Sequence, residues 1–143
     1  MWKSIFFSLA ALAQLPTNVP YNGHLPKEWT PQKFHRFAND DFTICRLRGS
    51  MVALDAIKTK FSTLLDCVKS AKADMAVAFP RTKTALASNR GAVEAAKNYY
   101  AQYMVSIDAL VETSTARSEI YDAITYREQR KLDLLSAKFE AEL

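Results

Sequence analysis

Beyond residue 31 the 143-residue sequence holds one proline, Pro80, and in its whole length only three glycines, Gly23, Gly49 and Gly91. Turns and breakers are therefore nearly missing from the last two thirds, which excludes a sheet protein built from short strands and tight hairpins. Histidine is equally scarce: His24 and His35 are the two in the chain, and neither stands at helical spacing from another ligand. With no C-x-x-C, no glycine-rich phosphate loop and no G-x-S-x-G, the sequence offers no metal, cofactor or catalytic residues, and a non-catalytic role is expected. His35 lies between Phe34 and Phe37 and is expected to pack rather than transfer protons. The two cysteines, Cys45 and Cys67, stand 22 positions apart. On one continuous helix that is about 33 Å, so they are expected to remain unpaired.

What is present is helical pattern. Counted in sevens, Leu47, Leu54, Phe61, Val68 and Met75 are apolar every time, with Ile44, Met51, Leu65 and Phe79 at most of the companion positions. A stripe with that period keeps to one side of a slightly underwound helix and calls for another helix along its length. Asn39-Asp40-Asp41 supplies acceptors for free backbone amides, so the first long helix is expected to start there and to end at Pro80. A second stripe through Val93, Tyr100 and Ile107 predicts that the two close as an antiparallel hairpin about Pro80. The stripe fades at Thr113-Ser114-Thr115-Ala116 and resumes at Ile120, Tyr121, Ile124, Leu132, Leu135 and Phe139. With no glycine or proline after Gly91, the expected geometry is an unbroken second helix with an overhanging end; a bend near Ser114 would give a three-helix bundle instead. The fold class is thus all-α, a long coiled-coil-like helical hairpin over residues 40–143, with the three-helix bundle as its alternative.

Ahead of the hairpin, residues 1–15 form a short apolar segment and residues 16–39 a strap with Pro16, Pro20, Pro26 and Pro31. The first segment has one lysine, an apolar run and an Ala11-Leu12-Ala13 triplet, which fits a cleaved secretory signal. It is also free of acids up to Glu28, which fits a retained organelle-targeting or membrane-surface segment, and retention is the expectation. The run is too short to cross a bilayer as a helix. The strap is rich in large apolar groups, so it is expected to order by pressing them into a surface.

Charge is uneven: residues 51–100 carry eight Lys/Arg against four acids, residues 101–143 five against eight. Such alternation argues against a nucleic-acid face. The expected function is that of an accessory subunit binding other protein subunits of a larger assembly, a mitochondrial membrane complex such as a respiratory enzyme or ATP synthase. Its partner-binding residues would be Trp2, Phe6, Phe7, Tyr21, Trp29, Phe34 and Phe37 in the leader and strap, with Ile120, Tyr121, Ile124, Leu132, Leu135 and Phe139 on the overhang. The alternatives are a secreted or periplasmic helical protein and a module that binds membrane surfaces through its N-terminus.

Overall fold

A computed structural model describes residues 25–54 and 61–143 of the chain; Trp2, Phe6, Phe7 and Tyr21, and the whole segment 1–15, lie outside the described residues. After a single 3-10 turn at Pro31–Lys33 come four helices: α1 (Phe34–Leu54), α2 (Phe61–Ala85), α3 (Arg90–Glu112) and α4 (Ser118–Ala141). The protein is all-helical, and among the described residues no strand occurs.

Each helix runs antiparallel to the next. Phe34 meets Phe79, and Cys45 meets Cys67, between α1 and α2; Phe79 meets Tyr100, and Lys72 meets Asp108, between α2 and α3. Asn89 reaches Glu142, and Ser106 reaches Glu128, between α3 and α4. The ring closes where α4 returns along α1, with Tyr121 bonded to the carbonyl of Arg46 and His35 to Ser136. Across the middle, α1 and α3 touch through Phe34 with Tyr99 and Phe42 with Tyr103. The result is a four-helix bundle, which differs from the expected two-helix hairpin at three places.

The first is the stretch Ile44–Phe79, which is two helices. α1 carries two apolar stripes, and the sequence reading followed the one that faces outward. Leu47 and Leu54 are 53% and 72% exposed, whereas Phe34, Ala38, Phe42, Cys45 and Val52 are buried. Aromatic rings remove the most apolar area per residue from water, so the face bearing Phe34 and Phe42 wins the core. Of the expected seam, Val68, Met75 and Ile107 are buried, and Phe61, Val93 and Tyr100 are half-buried. The helix also begins five residues before Asn39, so Asn39-Asp40-Asp41 lies inside α1 and caps nothing.

The second is Pro80, which sits inside α2 rather than ending it. Proline removes one ladder bond from a helix and crowds the preceding turn. The turn nevertheless continues because Phe79 stacks on Tyr100 with ring centres 4.3 Å apart and the buried Thr82 hydroxyl donates to the Ala78 carbonyl at 2.8 Å. The chain reverses later, at residues 86–89, where the Asn89 side chain accepts from the Ala92 amide at 2.9 Å and starts α3.

The third is the break between α3 and α4, made without glycine or proline. The Thr113 hydroxyl donates to the Ala109 carbonyl at 2.7 Å and the Ser114 hydroxyl to the Val111 carbonyl at 2.8 Å. Short hydroxyl side chains compete with the ladder in this way and satisfy the carbonyls that a helix end leaves over. α4 then folds back, so no overhang projects.

The core is consequently filled by groups expected to face partners. Phe34, Tyr121, Leu132 and Phe139 are fully buried, and Trp29, Phe37 and Leu135 pack against the same cluster. Ile124 is half-buried, leaving Ile120 as the one exposed member of the C-terminal set. Gly49 has its own reason: a Cβ there would overlap the Tyr121 ring, so glycine lets α4 approach α1 where the Tyr121 hydroxyl donates to the Arg46 carbonyl at 2.9 Å.

Candidate functional site

The disulfide between Cys45 and Cys67 is the first feature that the expected hairpin misplaced. With α1 and α2 separate and antiparallel, the two Cα atoms stand 5.6 Å apart, an ordinary span for the bond. The 33 Å separation held only for a continuous helix.

One turn from Cys45, the same seam holds a pair of acids. Asp74 is fully buried on α2 and hydrogen-bonds with Asp41 of α1. Two carboxylates cannot hydrogen-bond to each other without a shared proton. Burial pushes the Asp41 carboxyl up from its usual 3.8 to about 6; the bond from Asp74 pulls the other way, and the nearby charge of Asp40 adds to the rise. A carboxyl whose folded value is raised takes up a proton on folding. Its contribution to stability is full below about pH 3.8 and is lost as pH rises through about 6. Asp41→Asn, neutral at every pH, should therefore be more stable than the native chain at pH 7.5 by about 1–2 kcal/mol, with the difference vanishing near pH 4. Urea unfolding of both proteins across that range measures it; a constant difference would remove the shared proton.

The other interior polar groups are structural. His35 bonds to the Ser136 hydroxyl and lies edge-on to Phe139 with centres 5.2 Å apart. Burial lowers its pKa, against a raising effect of Glu140 and a further lowering by Arg36, so the ring is neutral at pH 7. Burial pushes Glu128 up, but bonds from Lys131 and Ser106, with the charges of Lys131 and Arg127, outweigh it and hold the carboxyl below its usual range. Lys72 pairs with Asp108 at 2.8 Å across an open groove between α2 and α3. No group of three or more His, Cys, Asp or Glu that could hold a metal occurs among the described residues. Among those residues, no helix is long and apolar enough to cross a membrane.

What remains is the outer face of α1. Ile44, Leu47, Met51 and Leu54 follow one another at spacings of three, four and three, and are 49%, 53%, 49% and 72% exposed. Scattered single apolar residues on a surface need no explanation, but a contiguous helical line of four is the pattern of a helix awaiting a neighbour. Its backbone is held from beneath. The disulfide ties Cys45 to α2, and the Arg46 carbonyl is bonded by Tyr121 of α4. Arg46 lies over the Tyr126 ring at 4.5 Å from its centre. Neither Arg46 nor Arg48 forms an ion pair with any described residue.

Sequence reasoning had Ile44, Leu47, Met51 and Leu54 in hand but assigned them to an internal seam. It passed over Arg46 and Tyr126. The signal that would have found the site is the pair of interleaved stripes on residues 34–54: a helix apolar on two faces has one more than its own core can use.

No protein family, no curated protein and no solved structure was found to match this chain.

Proposed function

We propose that the chain is a non-catalytic helical binding module that works in an oxidising compartment and joins another protein through the outer face of α1. The observation that carries this reading is the exposed line Ile44, Leu47, Met51 and Leu54 on a helix fixed from behind. The role of accessory subunit is kept from the sequence, but its contact surface moves. Trp29, Phe34 and Phe37 of the strap and Tyr121, Leu132, Leu135 and Phe139 of α4 are occupied within the bundle, and the outer face of α1 takes their place.

The disulfide bears on the compartment. Structural disulfides persist where thiols are not kept reduced, as in secreted, periplasmic and other oxidising spaces. Taken with the signal-like residues 1–13, it favours export over a reducing mitochondrial matrix. A photoreactive side chain placed at position 47 of the full-length chain, expressed in its native cells, tests the binding role. The expected result is one defined cross-linked protein from position 47 and none from position 134, which is equally exposed but lies on α4. Equal or absent cross-linking from the two positions would contradict it.

A further inference from the structure

Resting on that reading, we infer that the α1 face receives an amphipathic helix of another protein whose apolar edge is flanked by acidic side chains. The geometry of the line selects a helix. Spacings of three, four and three place the four side chains in a seam that accepts knobs from a facing helix. From Ile44 to Leu54 the seam runs about 15 Å, some three turns. A strand, whose side chains alternate every second residue, would match the seam at few points.

The charge selects acids. Arg48 stands between Leu47 and Met51 in sequence, and Arg46 lies over the Tyr126 ring at 4.5 Å from its centre. Neither has a carboxylate partner among the described residues, so both are open to an acid on a facing chain. Arginine is the cation best suited to an interface, because its fork takes a carboxylate through two parallel bonds while its stem adds apolar contact. In sequence the line is flanked by an acid at each end, Asp40 four residues ahead of Ile44 and Asp55 directly after Leu54, so the facing helix would carry its acids opposite the middle of the line and not opposite its ends. A second copy of the chain fits poorly. Antiparallel pairing about the middle of the line would bring the arginines of both copies together, and like charges across an interface oppose association.

The line is short, about three helical turns, so binding should be weak and reversible rather than permanent. Its test uses the full-length, oxidised protein and two synthetic three-heptad helices with leucine along both seam positions, one flanked by glutamate and the other by lysine. The glutamate helix is expected to bind about ten-fold more tightly than the lysine helix at low salt, and the preference should shrink at high salt. Leu47→Glu should abolish binding of the glutamate helix. The double substitution Arg46→Ala/Arg48→Ala should erase the preference while the apolar contact persists. Equal binding of the two helices, preference for lysine, or binding of neither would overturn the inference. So would a dimer of the protein alone that Leu47→Glu dissolves, or Leu47-dependent binding to anionic phosphatidylserine vesicles in place of the peptide. If position 47 cross-links to a protein while the two helices bind alike, the binding module stands and the acidic partner falls. If position 47 yields no cross-link, the binding module itself falls.

Discussion

Phe34→Ala should lower the stability of the isolated protein by about 3–5 kcal/mol, the largest loss expected from any single substitution considered. Phe34 is fully buried at the point where α1, α2, α3 and α4 meet. Its ring centre lies 6.2 Å from Phe79, 5.8 Å from Tyr99 and 6.2 Å from Phe139, in tilted and edge-on arrangements that aromatic pairs prefer. Truncation removes the transfer energy of the ring and leaves a cavity bounded by three other rings, which cannot collapse without shifting the helices that carry them. Urea denaturation of the monomer measures the change, with Leu134→Ala, an exposed position on α4, as a control expected within about 0.5 kcal/mol of native. A Phe34 seated in some other protein would give no loss in the monomer.

Removing the disulfide ranks next. The bond closes a loop of 22 residues, and constraining a loop of that size in the unfolded chain is worth about 3 kcal/mol. Cys45→Ala/Cys67→Ala should therefore melt roughly 10 °C below the oxidised protein. The reduced native chain should fall with it, since the thiols add little beyond the volume they fill. Helical content at low temperature should be unchanged, because α1 and α2 are also joined by Phe34 on Phe79 and share the buried core of the bundle. Thermal unfolding followed by circular dichroism, with and without reductant, gives both numbers; coincident curves would mean that the bond does not constrain the fold.

The helical class was open to reading because it rests on periodicity and on the scarcity of breakers, which are local properties. So was the weak point at Thr113 to Ala116, where polar hydroxyls interrupt the stripe. Choosing between a continuous helix and a break there depended on where those hydroxyls bond, and that is set by the helix end they cap. The seam was harder. Residues 34–54 offer two apolar faces, and only the packing of all four helices decides that the face of Phe34 and Phe42 goes inward. Once the wrong face was chosen, the cysteines fell on one long rod and the aromatic residues of the strap and of α4 had nowhere to go within the chain. Pro80 misled for a similar reason. Its cost is local, while the stacking of Phe79 on Tyr100 that offsets it comes from a residue 21 positions away.

The candidate site was visible in the sequence as residues and invisible as a site. Ile44, Leu47, Met51 and Leu54 announce a helix neighbour, and their spacing gives no hint whether that neighbour lies in the same chain. The buried pair of Asp41 and Asp74 was not visible at all. Thirty-three positions separate the two acids, and they meet because α2 reverses direction beside α1.

The reversal of α2 on α1 underlies the whole account, and peptide mapping of the non-reduced monomer tests it most directly. The account predicts a single linked pair within one chain, the peptide bearing Cys45 joined to the peptide bearing Cys67. Thiols that stay free under mild oxidation, or a link found only between chains, would mean that the two cysteines do not stand side by side and would contradict the antiparallel placement of α1 and α2.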